Sequence, residues 1–413
     1  MFSPAHPSML VIFVAPFFSP AATQMIEAAL ALPHIRLAVV SQQPLEHLSR
    51  HLLGRVVGHW RVGDVTDASQ LARAVQGLSA VHGAVSRCFA AYEQSQLPLA
   101  IVREQLGIPG LSSSAANNFR DKARMKDVLR AAGIPVARHQ LVGEPGDARR
   151  FVADVGFPIV VKPPAGAGAK ATERITDANA LEDALQRYRP TVDDPMLAEE
   201  FLRGTEHSLE TVTINGKPVW HSLTRYAPTP LEVIENPWIQ WTVLLPREVD
   251  DPRYDDIKRI GDKALAALGM TTGVSHCEWF RRPDGSVAIS EIAARPPGAN
   301  MTTMISRAHD IDFVGSWIRL MVDGQFVTPT RRYAVGTAYL RGQGHGAVAS
   351  IEGLDTVQRE YGHLICDARL PYLGQHPTGS YEGEGFLILR HPDTRVVQDA
   401  LTRIISTVKV VLR

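Results

Sequence analysis

Two glutamates in the second half of the chain have a spacing that suits a metal ion. Glu278 and Glu291 each stand six residues from an Asp284-Gly285 pair, so a hairpin turning there would place them opposite each other. Opposed carboxylates repel each other unless a cation lies between them, and Mg²⁺ binds such oxygens together with phosphate oxygens. The spacing therefore predicts a magnesium site for phosphate chemistry. The alternative is two solvated glutamates on the rim of a sheet.

An arginine follows this hairpin. Arg295 lies four residues beyond Glu291, and Pro296 and Pro297 stop the strand and restrict the loop after it. A guanidinium group held at such a place can grip a carboxylate or a phosphoryl group with its planar fork. We therefore expect Arg295 to contact a reacting anion.

A lysine and a glycine loop form a second candidate site, in the segment IVVKPPAGAGAK at 159–170. Lys162 ends an apolar run, and a charge there needs a partner or solvent because burying it alone is costly. Gly166 and Gly168 would let backbone N–H groups approach an anion closely. The spacing matches neither a Walker A loop nor a Rossmann fingerprint. Taken alone, the segment fits a flexible surface hairpin as well as a phosphate loop.

Acidic residues surround an apolar pair in the segment LAEEFLRGTEHSLE. Glu199 and Glu200 precede Phe201 and Leu202, and Glu206 follows them. Carboxylates accept hydrogen bonds, so these residues could read the edge of a nucleobase and the hydroxyls of a ribose. The alternative is a strand that carries solvated glutamates.

Alternating strands and helices are expected to position these residues. Apolar runs and helical patterns alternate over residues 1–115, which indicates a parallel sheet with helices on its faces. Residues 106–113 are interpreted as a further short strand and a turn. Asn117 or Asn118 is then expected to begin a helix that Gly133 closes.

Two hairpins are predicted in the second half of the chain. They turn at Asn215-Gly216 and at Asp284-Gly285, and an amphipathic helix that ends at Gly269 lies between them. From about residue 331 the pattern becomes rich in strands. A helix near 396–408 is expected to end it.

Composition is that of an ordinary globular protein. Of 413 residues, 45% are hydrophobic, and Lys plus Arg equals Asp plus Glu at 43 each, which does not favour nucleic-acid binding. Residues 9–18 resemble a signal-peptide core, but no Lys or Arg precedes them and Pro16 interrupts them, so a buried strand is favoured. No apolar run suits a membrane span. Three widely separated cysteines fit a reducing compartment, and we expect a cytoplasmic protein.

The order of these features resembles the ATP-grasp superfamily. The features are the helix RDKARMKDVLRAAGIP, the lysine strand with its glycine loop, the EEFLRGTE segment and the two-glutamate hairpin. The stretches GVSHCEWF, EIAARPPG and GAVASIEGLDTV most resemble the bacterial L-amino-acid ligases. Biotin carboxylase and the purine-pathway ligases are more distant. The resemblance covers nearly the whole chain, although none of its motifs is specific alone.

The resemblance implies an α/β fold, with an α+β arrangement in the ATP-grasp part. It implies a Rossmann-like domain at 1–115 and an ATP-grasp domain at 116–330, which contains a mobile lid at about 135–207. A β-rich C-terminal lid domain would occupy 331–413.

The resemblance also implies residue roles, with ATP and Mg²⁺, or Mn²⁺ in its place, as cofactors. The implied phosphate contacts are Lys122, Lys162 and the loop with Gly166, Gly168 and Lys170. Glu199 and the backbone at Phe201 and Leu202 would contact adenine, and Glu206 would contact the ribose. Glu278 and Glu291 would hold the metal, and Arg295 would contact the transferred phosphoryl group and the substrate carboxylate. Many members have an asparagine two residues after the second metal glutamate. Ala293 stands there, so the number of metal ions stays open.

The activity implied is an ATP-dependent carboxylate–amine ligase that forms an acyl phosphate, releases ADP and phosphate, and joins amino acids. The acid and amine substrates would be small molecules of unknown identity, and a homodimer is left open. Two alternatives remain: an ATP-grasp enzyme of nucleotide biosynthesis or bicarbonate activation, and a non-catalytic ATP-binding protein. Ala293 gives the second a little support, but both metal glutamates and both phosphate lysines are present.

Two further interpretations concern side chains near this site. His276 lies two residues before Glu278 on the same strand face, so we expect it to contact or deprotonate the incoming amine. A hydrogen-bonded structural histidine is the alternative. Trp238 and Trp241 are interpreted as packing residues.

Overall fold

The first part of the chain folds as a parallel sheet with helices on its faces. The computed structural model describes residues 8–166 and 171–413. The first elements are β1 (Met9–Val14), α1 (Pro20–Leu30), β2 (Ile35–Ser41), α2 (Arg50–Leu53), β3 (Gly58–Arg61), α3 (Ala68–His82), β4 (Val85–Ala90) and α4 (Gln96–Leu106). The strand order is β3-β2-β1-β4, and neighbouring strands run parallel. Helices cover both faces of β1 and β2, which is why their sequences are continuous apolar runs.

A loop takes the place of the short strand predicted at 106–113. Gly107 has a φ of 65°, in the left-handed region, and ends α4. Arg103 then donates a hydrogen bond to the carbonyl of Leu111, so a side chain satisfies this backbone group without a neighbouring strand. The strand prediction is therefore wrong.

Two helices, α5 (Ser113–Arg120) and α6 (Lys122–Ala131), replace the single helix predicted from Asn117 or Asn118. Asp121 separates them, because its carboxylate accepts hydrogen bonds from two backbone N–H groups in the first turn of α6. The predicted cap is therefore wrong. This break makes Lys122 the first residue of α6.

A four-stranded antiparallel sheet with two helices follows, and is called the β5–β8 unit. Its elements are β5 (His139–Val142), α7 (Pro145–Val155), β6 (Ile159–Lys162), β7 (Glu173–Ile175), α8 (Ala178–Tyr188) and β8 (Met196–Glu200). The strand order is β5-β8-β6-β7. Val160 pairs with Glu199, so Lys162 lies diagonally beside Glu199 on the same face.

The next elements build most of a large sheet. They are β9 (Thr205–Ile214), β10 (Lys217–Ala227), α9 (Pro230–Glu235), β11 (Trp241–Leu245), α10 (Asp255–Leu268), β12 (Gly273–Arg281), β13 (Val287–Ala293), α11 (Met301–His309), α12 (Phe313–Asp323) and β14 (Ala334–Leu340). Both predicted hairpins are confirmed. Asn215, Gly216 and Gly285 have positive φ angles of 50°, 76° and 84°, as tight turns require. The predicted end of α10 at Gly269 is also confirmed.

The C-terminal strands join this large sheet. The last elements are β15 (Gly342–Gly344), β16 (Val348–Glu352), α13 (Leu354–Tyr361), β17 (Ile365–Arg369), β18 (Gly385–His391), α14 (Thr394–Thr407) and β19 (Lys409–Leu412). The large sheet has the order β13-β12-β9-β10-β11-β14-β18-β17, and a small sheet has the order β15-β19-β16. The final helix is confirmed, whereas β19 was not predicted. The predicted boundary at residue 331 does not separate two sheets, and the three-part division stays a prediction.

The N-terminal sheet packs on the large sheet through one apolar core. Phe89 of β4 meets Trp317 of α12 edge to face, with ring centroids 5.6 Å apart. This shared core holds the end of β4 beside the loop after β13, and this loop contains Arg295. Among the described residues, the helices are too short or too polar to cross a membrane.

Candidate active site

A cavity of about 580 Å³ is lined by residues of the β5–β8 unit and of the large sheet. All the site residues predicted from the sequence line it where the structure describes them: Lys122, Lys162, Gly166, Glu199, Phe201, Leu202, Glu206, His276, Glu278, Glu291 and Arg295. Gly168 and Lys170 lie outside the described residues. Five separate stretches of sequence thus meet at one place.

The two hairpin glutamates lie opposite each other, as predicted, although a β-bulge between Glu278 and Trp279, which was not predicted, sets this register. Glu278 and Glu291 are paired residues of β12 and β13. The amine of Lys122 lies 2.9 Å from a carboxylate oxygen of Glu291. No group of three or more His, Cys, Asp or Glu side chains in the described residues could hold a metal ion by itself. The pair nevertheless fits Mg²⁺, because this ion often takes one or two carboxylates and completes its shell with phosphate oxygens and water.

The charges around this pair shift the pKa values of neighbouring glutamates in opposite directions. Burial would raise the pKa of Glu291, but Lys122 and Lys162 outweigh it and lower that pKa. Burial and the nearby Glu278 raise the pKa of Glu206 well above its usual range. The negative charge of Glu206 is therefore poorly compensated on the side of Glu278, where a bound cation would stabilise it.

Two buried lysines share one buried glutamate beside this pair. The carboxylate of Glu199 lies 2.7 Å from the amine of Lys126 and 3.0 Å from that of Lys162. Burial would raise the pKa of Glu199, but the two lysines lower it to about 2. The predicted contact between this side chain and adenine therefore does not fit the described arrangement, in which both oxygens face lysines. The backbone after it, at Phe201 and Leu202, lines the cavity and is compatible with the predicted adenine contact.

Lys126 was missed in the sequence. It is fully buried, and its amine also donates a hydrogen bond to the carbonyl of Ser290, 2.7 Å away. Burial lowers the pKa of Lys126 to about 8, against the opposing effect of Glu199. The available signal was its position four residues after Lys122, on the same face of a helix. Because Lys126 keeps Glu199 neutralised, Lys162 can turn to a phosphate without leaving a buried carboxylate unpaired.

Replacing Lys126 with methionine is expected to lower the free energy of unfolding by about 3 kcal/mol, because one partner of a buried ion pair is lost while Lys162 remains. Chemical denaturation measures this change. Lys258→Met is the matched control, since Lys258 pairs with the exposed Asp250 and should contribute at most about 1 kcal/mol. Equal losses in the two variants would contradict the role given to Lys126.

Arg295 is held by a residue of the N-terminal region that was also missed. Its Nε and one terminal nitrogen donate to the same carboxylate oxygen of Glu93, at 3.1 and 2.8 Å. Glu93 is only 6% exposed and also accepts from Arg120, at 3.2 Å. Arg120 and Lys122 both donate to the carbonyl of Gly166, at 3.0 Å each. A chain of polar contacts thus connects Arg295 to the start of the glycine loop.

The signal for Glu93 was its place in the fold. It follows the carboxyl end of β4, where the order β3-β2-β1-β4 reverses direction between β1 and β4. Ligand sites in open parallel sheets lie at such points. Sequence patterns alone do not show this, because 202 positions separate Glu93 from Arg295.

His276 lies between two carboxylates. Its Nδ1 is 2.9 Å from an oxygen of the fully buried Glu210, and its Nε2 is 3.6 Å from Glu278. Burial would lower the pKa of His276, but hydrogen bonds to Glu210 and Glu278 raise it to about 9. Both ring nitrogens face carboxylates, which fits the alternative of a hydrogen-bonded structural histidine, and the predicted deprotonation of an amine stays a prediction. The predicted contact with the amine stays a prediction.

Part of the chain matches a known protein family. Residues 127–310 match the family model described as the ATP-grasp domain. The chain contains an ATP-grasp domain. The superfamily resemblance and the fold class predicted from the sequence are therefore confirmed, and the match supports ATP binding.

Two curated relatives of this ATP-grasp protein are bacterial ligases. It is 27% identical over 286 residues to the L-arginine-specific L-amino acid ligase of Bacillus subtilis, covering 67% of this chain and 68% of that protein. It is 28% identical over 236 residues to the alanine–anticapsin ligase of Bacillus subtilis (strain 168), covering 52% of this chain and 49% of that protein. The second match thus spans about half of that relative.

A solved structure resembles the ATP-grasp protein over almost its entire length. The L-amino acid ligase from Bacillus licheniformis superposes with a TM-score of 0.77, covering 99% of this chain and 100% of that one. The two sequences are 17% identical, so this likeness shows a shared fold.

Proposed function

We propose that the protein is an ATP-dependent ligase that joins the carboxylate of one amino acid to the amine of another. The convergence of two lysines, an arginine and an opposed pair of glutamates in one cavity carries this proposal. Phosphoryl transfer to a carboxylate brings anions together, so it needs cations around the reacting atoms. Similarity to L-amino acid ligases supports amino acids as the substrates.

In the first step, a carboxylate oxygen forms a bond to the γ-phosphorus of ATP, and the bond from this phosphorus to the β,γ-bridging oxygen breaks. The products are an acyl phosphate and ADP. Lys122 and Lys162 offset the phosphate charges, and Arg295 binds the group in transfer. Glu278 and Glu291 would hold Mg²⁺, which would supply positive charge to phosphate oxygens.

In the second step, the amine nitrogen forms a bond to the acyl carbon, the bond from this carbon to the phosphate oxygen breaks, and phosphate leaves. The amine proton passes to phosphate or water. Because the acyl phosphate is already activated, no covalent enzyme nucleophile is needed. Acyl phosphates react with water, and closure of residues 135–207 as a lid would exclude it. The hydrogen bonds that Arg120 and Lys122 donate to the carbonyl of Gly166 support this lid, because they connect a residue of the lid to α5 and α6.

Release of ADP and phosphate, screened over pairs of amino acids with ATP and Mg²⁺, tests the proposal. We expect release that needs both partners, together with a product whose mass is that of the two amino acids less one water. AMP and pyrophosphate as products would contradict the mechanism. Tight ATP binding without turnover of any acid would instead favour a non-catalytic ATP-binding protein.

A further inference from the structure

Part of the cavity wall is aromatic and is not used by the phosphate chemistry. Tyr226, Trp241, Met301 and Tyr381 line the cavity. They come from β10, β11, the start of α11 and the connection between β17 and β18. We call these four residues, which are three aromatic side chains and one methionine, the aromatic wall. Trp241 is only 1% exposed, as expected of a packing residue, but it also lines the cavity.

The shape of the aromatic wall is set without a ligand. The ring of Trp241 stacks on Tyr339, with centroids 4.7 Å apart, and its indole nitrogen donates to the carbonyl of Pro228 at 3.1 Å. Tyr381 meets Trp241 edge to face, with centroids 4.8 Å apart. A wall fixed in this way loses little conformational freedom when an apolar group packs on it.

The aromatic wall lies beside the reacting groups. Burial raises the pKa of Tyr381 to about 12; the charges of Glu382 and Glu278 add to this effect, and that of Arg295 opposes it. Tyr381 also lines the same cavity as Glu278 and Arg295. Ala293, at the place where many superfamily members have an asparagine, also lines the cavity and adds a methyl group.

We propose that the aromatic wall binds an apolar side chain of the amino acid that supplies the carboxylate, while Arg295 holds that carboxylate. This inference rests on the proposed ligase function. A charged side chain placed against the wall would lose its water and find no counter-charge among these four side chains, and contact with a ring face would offset only part of this cost for a cation. An apolar side chain would instead bury its surface there.

The wild-type enzyme gives the first test. L-leucine, L-methionine, L-glutamate and L-lysine are each supplied with a common amine partner, and the kcat/KM for ADP release is measured. Fragmentation of the product in a mass spectrometer identifies its N-terminal residue, which is the acid partner. We expect L-leucine or L-methionine in that position, preferred over L-glutamate and L-lysine by at least about tenfold.

A Tyr381→Ala variant gives the second test. We expect it to reduce the preference for L-leucine over L-glutamate by about tenfold, through a higher KM for L-leucine, whereas Tyr381→Phe keeps the preference because the ring remains. Tyr372→Ala is the matched control, since Tyr372 lies in the same connection and is 67% exposed. The thermal unfolding midpoint of each variant shows whether a change is only structural.

The outcomes separate this inference from the proposed function. ADP release that favours a charged or polar N-terminal residue would overturn the aromatic wall as a binding site while leaving the ligase intact. An unchanged preference in Tyr381→Ala would do the same. If no pair of amino acids releases ADP, the ligase function and this inference both fail.

Discussion

Replacing Arg295 with alanine is expected to lower kcat about a thousandfold, with little change in the KM for ATP. Its guanidinium group is fixed by Glu93 and has more N–H donors than these contacts use, so it can bind the phosphoryl group in transfer. That contact strengthens as charge develops in the transition state, which is why the effect falls on kcat. Steady-state ADP release with the best amino-acid pair measures it.

Two variants control for this result. Arg295→Lys keeps the charge but loses the planar fork, so we expect it to recover only part of the activity. Arg307→Ala removes an arginine that pairs with Asp367 at the surface, and we expect no effect on turnover. An Arg295→Ala enzyme as fast as the wild type would refute the role of Arg295.

Replacing Glu291 with glutamine is also expected to reduce turnover about a thousandfold at ordinary Mg²⁺ concentrations. The amide keeps the shape of the side chain but loses the charge that would hold the metal and that pairs with Lys122. The dependence of ADP release on Mg²⁺ concentration measures the effect. We expect half-saturation to move to much higher Mg²⁺ in the variant.

Matched variants distinguish metal binding from a general loss of charge. Glu278→Gln should behave like Glu291→Gln, because the two residues are paired across the hairpin. Glu46→Gln removes an exposed carboxylate outside the cavity lining and should leave the Mg²⁺ dependence unchanged. A Glu291→Gln variant with the wild-type Mg²⁺ dependence would exclude Glu291 as a metal ligand.

Local rules were sufficient for the parts of the site that one hairpin or one strand positions. The turn near Asp284-Gly285 pairs Arg281 with Val287, and a β-bulge between Glu278 and Trp279 then shifts the register so that Glu278 lies opposite Glu291. Lys162 was found because a charge at the end of a buried strand needs a partner. That partner is Glu199. Glu199 also pairs with Lys126, and this second contact could be predicted only from the packing of α6.

Contacts between distant parts of the chain could not be predicted in this way. Glu93 and Arg295 meet because the N-terminal sheet packs on the large sheet, and no spacing rule connects them. Glu210 was assigned no role, although it holds His276 from the neighbouring strand. The two tryptophans interpreted as packing residues illustrate the same limit, since Trp241 also lines the cavity and Trp238 is 65% exposed.

The fate of a carboxylate oxygen tests the central claim most directly. An acid substrate whose carboxylate oxygens carry a heavy isotope is incubated with the second amino acid, ATP and Mg²⁺, and the released phosphate is analysed by mass spectrometry. If an acyl phosphate forms, one labelled oxygen passes into each phosphate released as the amide bond forms. Amide formation with unlabelled phosphate, or with the label in AMP, would contradict the proposed mechanism.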